Sequence, residues 1–349
     1  MHIPDGYLSP STCIALGAAM TPVWAVAVKR VKTTLKSRQV PLMAIGAAFS
    51  FTIMMYNIPI PDGTTAHAVG AGLLAVVIGP WAASICVTIA LAIQALLFGD
   101  GGILTFTANC FNMAFLMPFA AYGLYRLIAG KSEKTASRRW VGAALGSYLG
   151  INVAALATGV ELGIQPLLFH TANGTPLYCP YPLALSIPTM MFAHLTVAGA
   201  LEAVVTAMVV RYLQSHDASL LENRLKAVGD TTAAPAGYRK LWWGVGALIL
   251  LSPLGLLSQG TAWGEWSAEE IHRLVGFIPA GLARLSASWP HALLPDYALP
   301  GPSHGMWASA AVYILCAVGA LGIIFLLTYL LGRFQAAEMQ PRKESEQGN

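Results

Sequence analysis

Of the 349 residues, 56% are hydrophobic and 10% are charged, against about 25% charged in soluble domains. That composition excludes a soluble catalytic domain, and the formal net charge of +4 reports membrane topology and implies no nucleic-acid partner. Apolar stretches of the roughly 20 residues needed to cross a bilayer recur from Ser11 to Leu331, so the fold class read from the sequence is an all-α polytopic membrane protein.

The chain opens Met1-His2-Ile3-Pro4-Asp5-Gly6. No basic segment followed by an apolar core precedes the first span, so Met1 is expected to stay in place. An amine followed directly by histidine is a chelator: the α-amine of Met1, the backbone nitrogen of His2 and its Nδ1 close a five-membered and then a six-membered ring. Three nitrogens in one plane, one of them a deprotonated amide, suit Ni(II) or Cu(II) far better than Mg(II) or Ca(II). On six residues alone, the plainer reading is a disordered terminus with an incidental histidine.

Apolar spans read against basic loops give about nine helices, near 11–28, 41–57, 68–80, 81–99, 104–128, 141–163, 185–213, 241–258 and 308–331. These are about seven transmembrane helices plus a C-terminal pair. Lys29, Arg30, Lys32, Lys36 and Arg38 fill one loop, and Arg126, Lys131, Lys134, Arg138 and Arg139 a second. Arg211, Arg224, Lys226, Arg239 and Lys240 fill a third, and Arg333, Arg342 and Lys343 lie in the tail. The helix model places all of them on one face, which the positive-inside rule makes cytoplasmic. The N-terminus, the loop 58–67, the turn 100–103, the segment 164–184 and the long loop 259–307 are then outside, and Met1, His2 and His67 share a face.

His67 ends the stretch Pro59-Ile60-Pro61-Asp62-Gly63-Thr64-Thr65-Ala66-His67, just before a Gly-rich apolar helix. Imidazole is the commonest side-chain ligand for such metals, and His67 is the candidate fourth nitrogen. Alone it reads as a solvated loop residue. Gln94, Asp100, Asn109 and Asn112 gather around the turn Phe98-Gly99-Asp100-Gly101-Gly102, with Asn152 and Glu161 on the sixth helix. The four are candidates for orienting the metal-binding groups, and hydrogen bonding between helices is the competing reading for each. His194 and Glu202, eight apart on the seventh helix, read as packed polar residues facing the interior, with a second metal site or proton path as the alternative. The five cysteines show no CxxC spacing and are expected to be core residues. Tyr125 to Ser132, YRLIAGKS, lacks the first glycine of a phosphate-binding loop, and no HExxH occurs.

A polar stretch from Gln214 to Gly237 marks a boundary. The domains read as 1–213, a metal-binding component; 214–240, a cytoplasmic linker; 241–332, a two-helix accessory part with the outside loop 259–307; and 333–349, a cytoplasmic tail.

The opening MHIPDGYLSP, the stretch HAVGAGLLAVVIGPWA at 67–82 and QALLFGDGGILTFTANCFNMA at 94–114 resemble the substrate-binding membrane component of nickel/cobalt energy-coupling-factor transporters, the CbiM/NikM type. SPLGLLSQGTAWGEW at 252–266 and LPDYALPG at 294–301 are similar to the CbiN/NikN-type accessory component, or PDGLE domain, although the expected PDG is replaced by Ser252-Pro253-Leu254-Gly255 and Pro295-Asp296-Tyr297. The resemblance implies that Met1, His2 and His67 hold the metal, that Ni2+ or Co2+ is transported rather than kept as a cofactor, and that a transmembrane coupling component and ATPase subunits are the partners. It places the chain in a bacterial or archaeal cytoplasmic membrane. Nickel import is the leading reading and cobalt import for cobalamin biosynthesis the alternative. A membrane metalloenzyme using His2, His67 and His194 lacks a convincing general base, and a passive channel or sensor would work without ATPase partners.

Overall fold

A computed structural model describes residues 1–34, 40–60, 64–133, 135–216, 218–221, 236–258, 260–287, 292–299 and 305–338. Asp62, Lys36, Arg38, Lys134, the linker from Glu222 to Pro235, His291, His304, Arg342 and Lys343 lie outside the described residues. In chain order, α1 (Pro10–Thr34) and α2 (Val40–Met54) lead to an antiparallel hairpin in which β1 (Ile58–Ile60) pairs with β2 (Thr64–Ala66), Pro59 opposite Thr65. Next come α3 (Ala71–Ile78) and α4 (Pro80–Ile93), which passes into a π segment at Gln94–Phe98. A helical run follows from α5 (Phe106–Asn109) through a second π segment (Cys110–Leu116) to α6 (Met117–Ala129). Then come α7 (Ser137–Gly163), α8 (Gln165–Leu168), α9 (Leu183–Ala193), a third π segment (His194–Ala198) and α10 (Gly199–His216). The chain closes with α11 (Ala236–Leu251), two short helices α12 (Ala268–Val275) and α13 (Ala280–Ser286), and α14 (Met306–Glu338).

Six helical stretches among the described residues are long and apolar enough to cross a membrane, and Pro41–Met54 is a shorter apolar helix. The protein is therefore a multi-pass membrane protein of the all-α class, its one small β-hairpin lying outside the spans. Its outer surfaces are apolar where a soluble protein's would be polar: Ile14, Leu127, Met208, Leu315 and Phe325 are all more than half exposed, as lipid contact allows. Inside, close approach replaces bulk. A Cβ on Gly146 of α7 would lie 2.4 Å from the Ala121 carbonyl of α6, so the two backbones meet as small-residue interfaces in membranes do. The five cysteines are free and buried.

The structure departs from the sequence expectation in three places. The helix expected over 68–80 is only eight residues, about 12 Å at 1.5 Å per residue, because Gly70 (φ 75°) and Gly79 (φ 87°) take positive φ at its two ends. At Gly70 a Cβ would meet the Phe49 ring at 2.4 Å. The outside loop 58–67 contains the β-hairpin. The loop 259–307 contains α12, opened by a capping box in which Ser267 and Glu270 bond each other's backbone nitrogens, as S-x-x-E permits. The C-terminal helices lie on the first part: the Tyr313 hydroxyl donates to the Met55 carbonyl at 2.8 Å.

Candidate metal centre

The N-terminus is buried and ordered by its neighbours. Met1, His2 and Ile3 are 4%, 3% and 0% exposed, which overturns the reading of a disordered end. Ile3 is gripped on both sides of its peptide. Its nitrogen donates to Asn109 Oδ1 at 2.8 Å, and its carbonyl accepts from Asn109 Nδ2 at 3.1 Å, from the Gly102 nitrogen at 3.0 Å and from the Thr105 hydroxyl. Two residues on, the Asp5 carboxylate accepts from the backbone nitrogens of Ile103, Leu104 and Thr105 at 3.0, 2.8 and 3.2 Å. A Cβ on Gly102 would lie 2.1 Å from Asp5 Oδ1, so the glycine lets the two strands of chain touch. Ser9 and Tyr7 extend the grip, bonding Gln165 Oε1 and the Trp266 carbonyl at 3.0 and 2.7 Å.

This threading brings His2 against His67. Their rings stack with centroids 5.0 Å apart and planes 28° from parallel. His67 Nδ1 lies 3.1 Å from the Ala68 carbonyl, so the proton sits on Nδ1 and the lone pair on Nε2. That Nε2 is buried without a hydrogen-bond partner. Burial first, then the Met1 amine and His2, hold the His67 imidazole well below its ordinary pKa, so it is neutral and ready to donate. His2 Nδ1 lies 3.0 Å from Asp100 Oδ1, without the alignment of a hydrogen bond, and His2 Nε2 has no partner.

Asp100 is itself held. The Tyr297 hydroxyl donates to its Oδ2 at 2.6 Å and Gln94 Nε2 at 3.1 Å. Burial pushes its carboxyl up, but the His2 imidazole and the Tyr297 bond outweigh that and hold it below the carboxylate range. The Met1 amine lies 3.4 Å from Glu265 Oε1. Burial raises the Glu265 carboxyl, with the amine and His2 pulling the other way. His2, Asp5, His67, Asp100, Glu265 and Asp296 all line one cavity of about 530 Å³. A second cavity of about 400 Å³, between α2, α3, α10 and α11, is lined by apolar residues with Tyr212 and Lys240 and has no carboxylate or imidazole to hold a cation.

The structure thus brings together Met1, His2 and His67, and it links Gln94 to Asp100 and Asn109 to Ile3. Asn112 points elsewhere: its amide donates to Glu161 Oε2 at 2.7 Å and Thr158 Oγ1 at 3.1 Å, both on α7. Glu265 and Tyr297 are the site neighbours that sequence reasoning missed. The first is one of several acids in a long loop, and the second sits inside the LPDYALPG stretch. Among the described residues, no three His, Cys, Asp or Glu side chains form a metal-binding group.

Fold and site together define a polytopic helical membrane protein with its N-terminal residues folded into a polar, histidine-bearing cavity. The sequence profile of the family described as "Cobalt uptake substrate-specific transmembrane region" (CbiM) matches residues 2–220, and the chain belongs to that family. Over 313 residues it is 49% identical to "Fused nickel transport protein NikMN" of Rhodobacter capsulatus, covering 85% of this chain and 88% of the relative. Over 343 residues it is 47% identical to "Probable fused nickel transport protein LarMN" of Lactiplantibacillus plantarum, covering 94% and 96%. A solved structure, "Crystal Structure of an Truncated Transition metal Transporter", is 64% identical with a TM-score of 0.58 and covers 62% of this chain and 99% of that one. The chain is accordingly of the CbiM/NikM type, joined to a NikN-like part.

Proposed function

We propose that this chain is the substrate-capture subunit of an ATP-driven energy-coupling-factor importer, with Ni(II) its favoured cargo and Co(II) the alternative. The observation that carries the reading is the buried, unpartnered Nε2 of His67, on a ring stacked against that of His2, in a cavity that Glu265, the partner of the Met1 amine, also lines. With no cluster of three acidic, histidine or cysteine side chains among the described residues, a nitrogen-rich site here must recruit main-chain nitrogen. The proposed donors are the Met1 amine, the His2 backbone nitrogen, His2 Nδ1 and His67 Nε2.

In this reading each neighbour has a task. Asn109, Gly102 and Thr105 hold the Ile3 peptide and so fix the chelate rings. Glu265 keeps the amine at the site until an ion takes the proton's place, and the Asp100 carboxylate, 3.0 Å from His2 Nδ1, faces the imidazole. Carboxylates lining the cavity attract the incoming cation. Planar four-nitrogen coordination favours Ni(II). Residues 1–213 bind the ion, 241–332 with the loop 259–307 serve transport, 214–240 link the two, and 333–349 form a tail. The N-terminus faces outward from a bacterial or archaeal cytoplasmic membrane. A transmembrane coupling component and ATPase subunits supply the drive, and the chain itself is not an enzyme. Co-purification of an ATPase subunit with the C-terminally tagged chain, and competition of Ni(II) with Co(II) for the purified protein, test the two parts of this reading. A chain that imports the ion with no ATPase present would contradict the first.

A further inference from the structure

Glu202 lies on α10, 1% exposed, and spends its carboxylate on the segment that follows His67. Its Oε2 accepts from the Val69 and Gly70 backbone nitrogens, both at 2.9 Å, the two amides immediately before α3 begins at Ala71. On the other side of that segment the Ser50 hydroxyl of α2 donates to the Val69 carbonyl at 2.8 Å. The stretch from His67 to Gly70 is therefore tied by one hydrogen bond to α2 and by two to α10. A carboxylate is the acceptor suited to this place. Both amides belong to the N-terminal end of a helix, where the backbone dipole favours negative charge, and an ionisable group at this depth is costly unless its bonds are used.

The consequence reaches His67. Its Nδ1 is fixed by the carbonyl of Ala68, so the direction of Nε2 follows the backbone of residues 67–69. Freed from α10, that backbone could settle elsewhere without disturbing Met1, His2 or the Asn109 grip on Ile3. We infer that Glu202 is a positioning residue for the fourth metal ligand: it sets where His67 Nε2 stands and touches no ion itself. This rests on the donor set proposed above.

The test is titration of the purified full-length protein with Ni(II), followed by visible absorption, in wild type, Glu202→Ala, Glu202→Gln, His67→Ala and the double variant His67→Ala with Glu202→Ala. Glu202→Ala should weaken binding by about 10–100-fold, the usual range for loss of an outer contact to a ligand, and shift the spectrum towards that of His67→Ala. Glu202→Gln, whose amide oxygen still accepts from both nitrogens, should stay close to wild type. In the double variant the Glu202 substitution should add nothing, because the residue it positions is gone. A wild-type spectrum and affinity in Glu202→Ala would overturn the inference, as would a further loss in the double variant, which would mark Glu202 as general support for the fold. If His67→Ala itself keeps the wild-type spectrum, the donor assignment fails, an outcome distinct from either.

Discussion

A single residue added before Met1 is the perturbation the site tolerates least. The extra residue moves the free amine along the chain by up to about 3.6 Å, and it turns the Met1 amine into an amide that donates only after losing its proton, which changes the ring pattern of the chelate. There is no slack to absorb it. Met1 is 4% exposed and its amino group already sits 3.4 Å from Glu265, while Ile3 is held at four hydrogen bonds and cannot slide outward. The neutral amine donor is exchanged for an amide that must first be deprotonated, and the packed N-terminus must open, so Ni(II) affinity should fall by about 100-fold, the upper range for disturbing a ligand's support. The assay is Ni(II) titration of two purified proteins that differ only by an uncleaved N-terminal glycine, both tagged at the C-terminus. Equal affinity and equal spectra in the two would refute the chelate.

His2→Ala and His67→Ala should each abolish uptake while leaving the protein in the membrane, whereas the exposed His170 and His216 should be replaceable by Ala with near-normal uptake, measured with labelled nickel. Binding should release protons from the amine and the His2 peptide nitrogen and weaken as pH falls. His67, whose pKa is already held low by burial, is neutral before the ion arrives and contributes no proton, so its share of affinity persists to lower pH. A calorimetric heat independent of the buffer's ionisation enthalpy contradicts this. Tyr297→Phe removes the 2.6 Å bond to Asp100 and should lower Ni(II) affinity about 10-fold without unfolding the protein; an unchanged affinity would leave Asp100 without a role at the site. A chain ending near Gly237 loses Glu265 and Tyr297 and should keep the planar-nitrogen spectrum at reduced affinity while losing most uptake. A lost spectrum would move part of the donor set into the C-terminal part.

The spans were legible because lipid selects for apolar runs of fixed length, and the N-terminal chelate because its donors are adjacent in sequence, where ring size follows from covalent geometry. What stayed hidden depends on contacts between distant residues. Glu265 meets Met1 across 264 positions and Tyr297 meets Asp100 across 197, and no local pattern records such pairings. Asn112 looked like Asn109, three residues earlier, but it lies inside the π segment that begins at Cys110 and bonds Glu161 on α7. The shortness of α3 was written in Gly70 and Gly79, yet glycine in an apolar membrane helix is ordinary, and only the positive φ values tell these two apart.

X-ray absorption at the nickel edge of the loaded full-length protein reads the proposed donor set itself. A site built on Met1, His2 and His67 should show a four-coordinate planar ion with nitrogen donors only, two of them imidazoles, and no sulfur or carboxylate oxygen bound to it. A six-coordinate ion, or one bound through the carboxylates of Asp100 or Glu265, would contradict it.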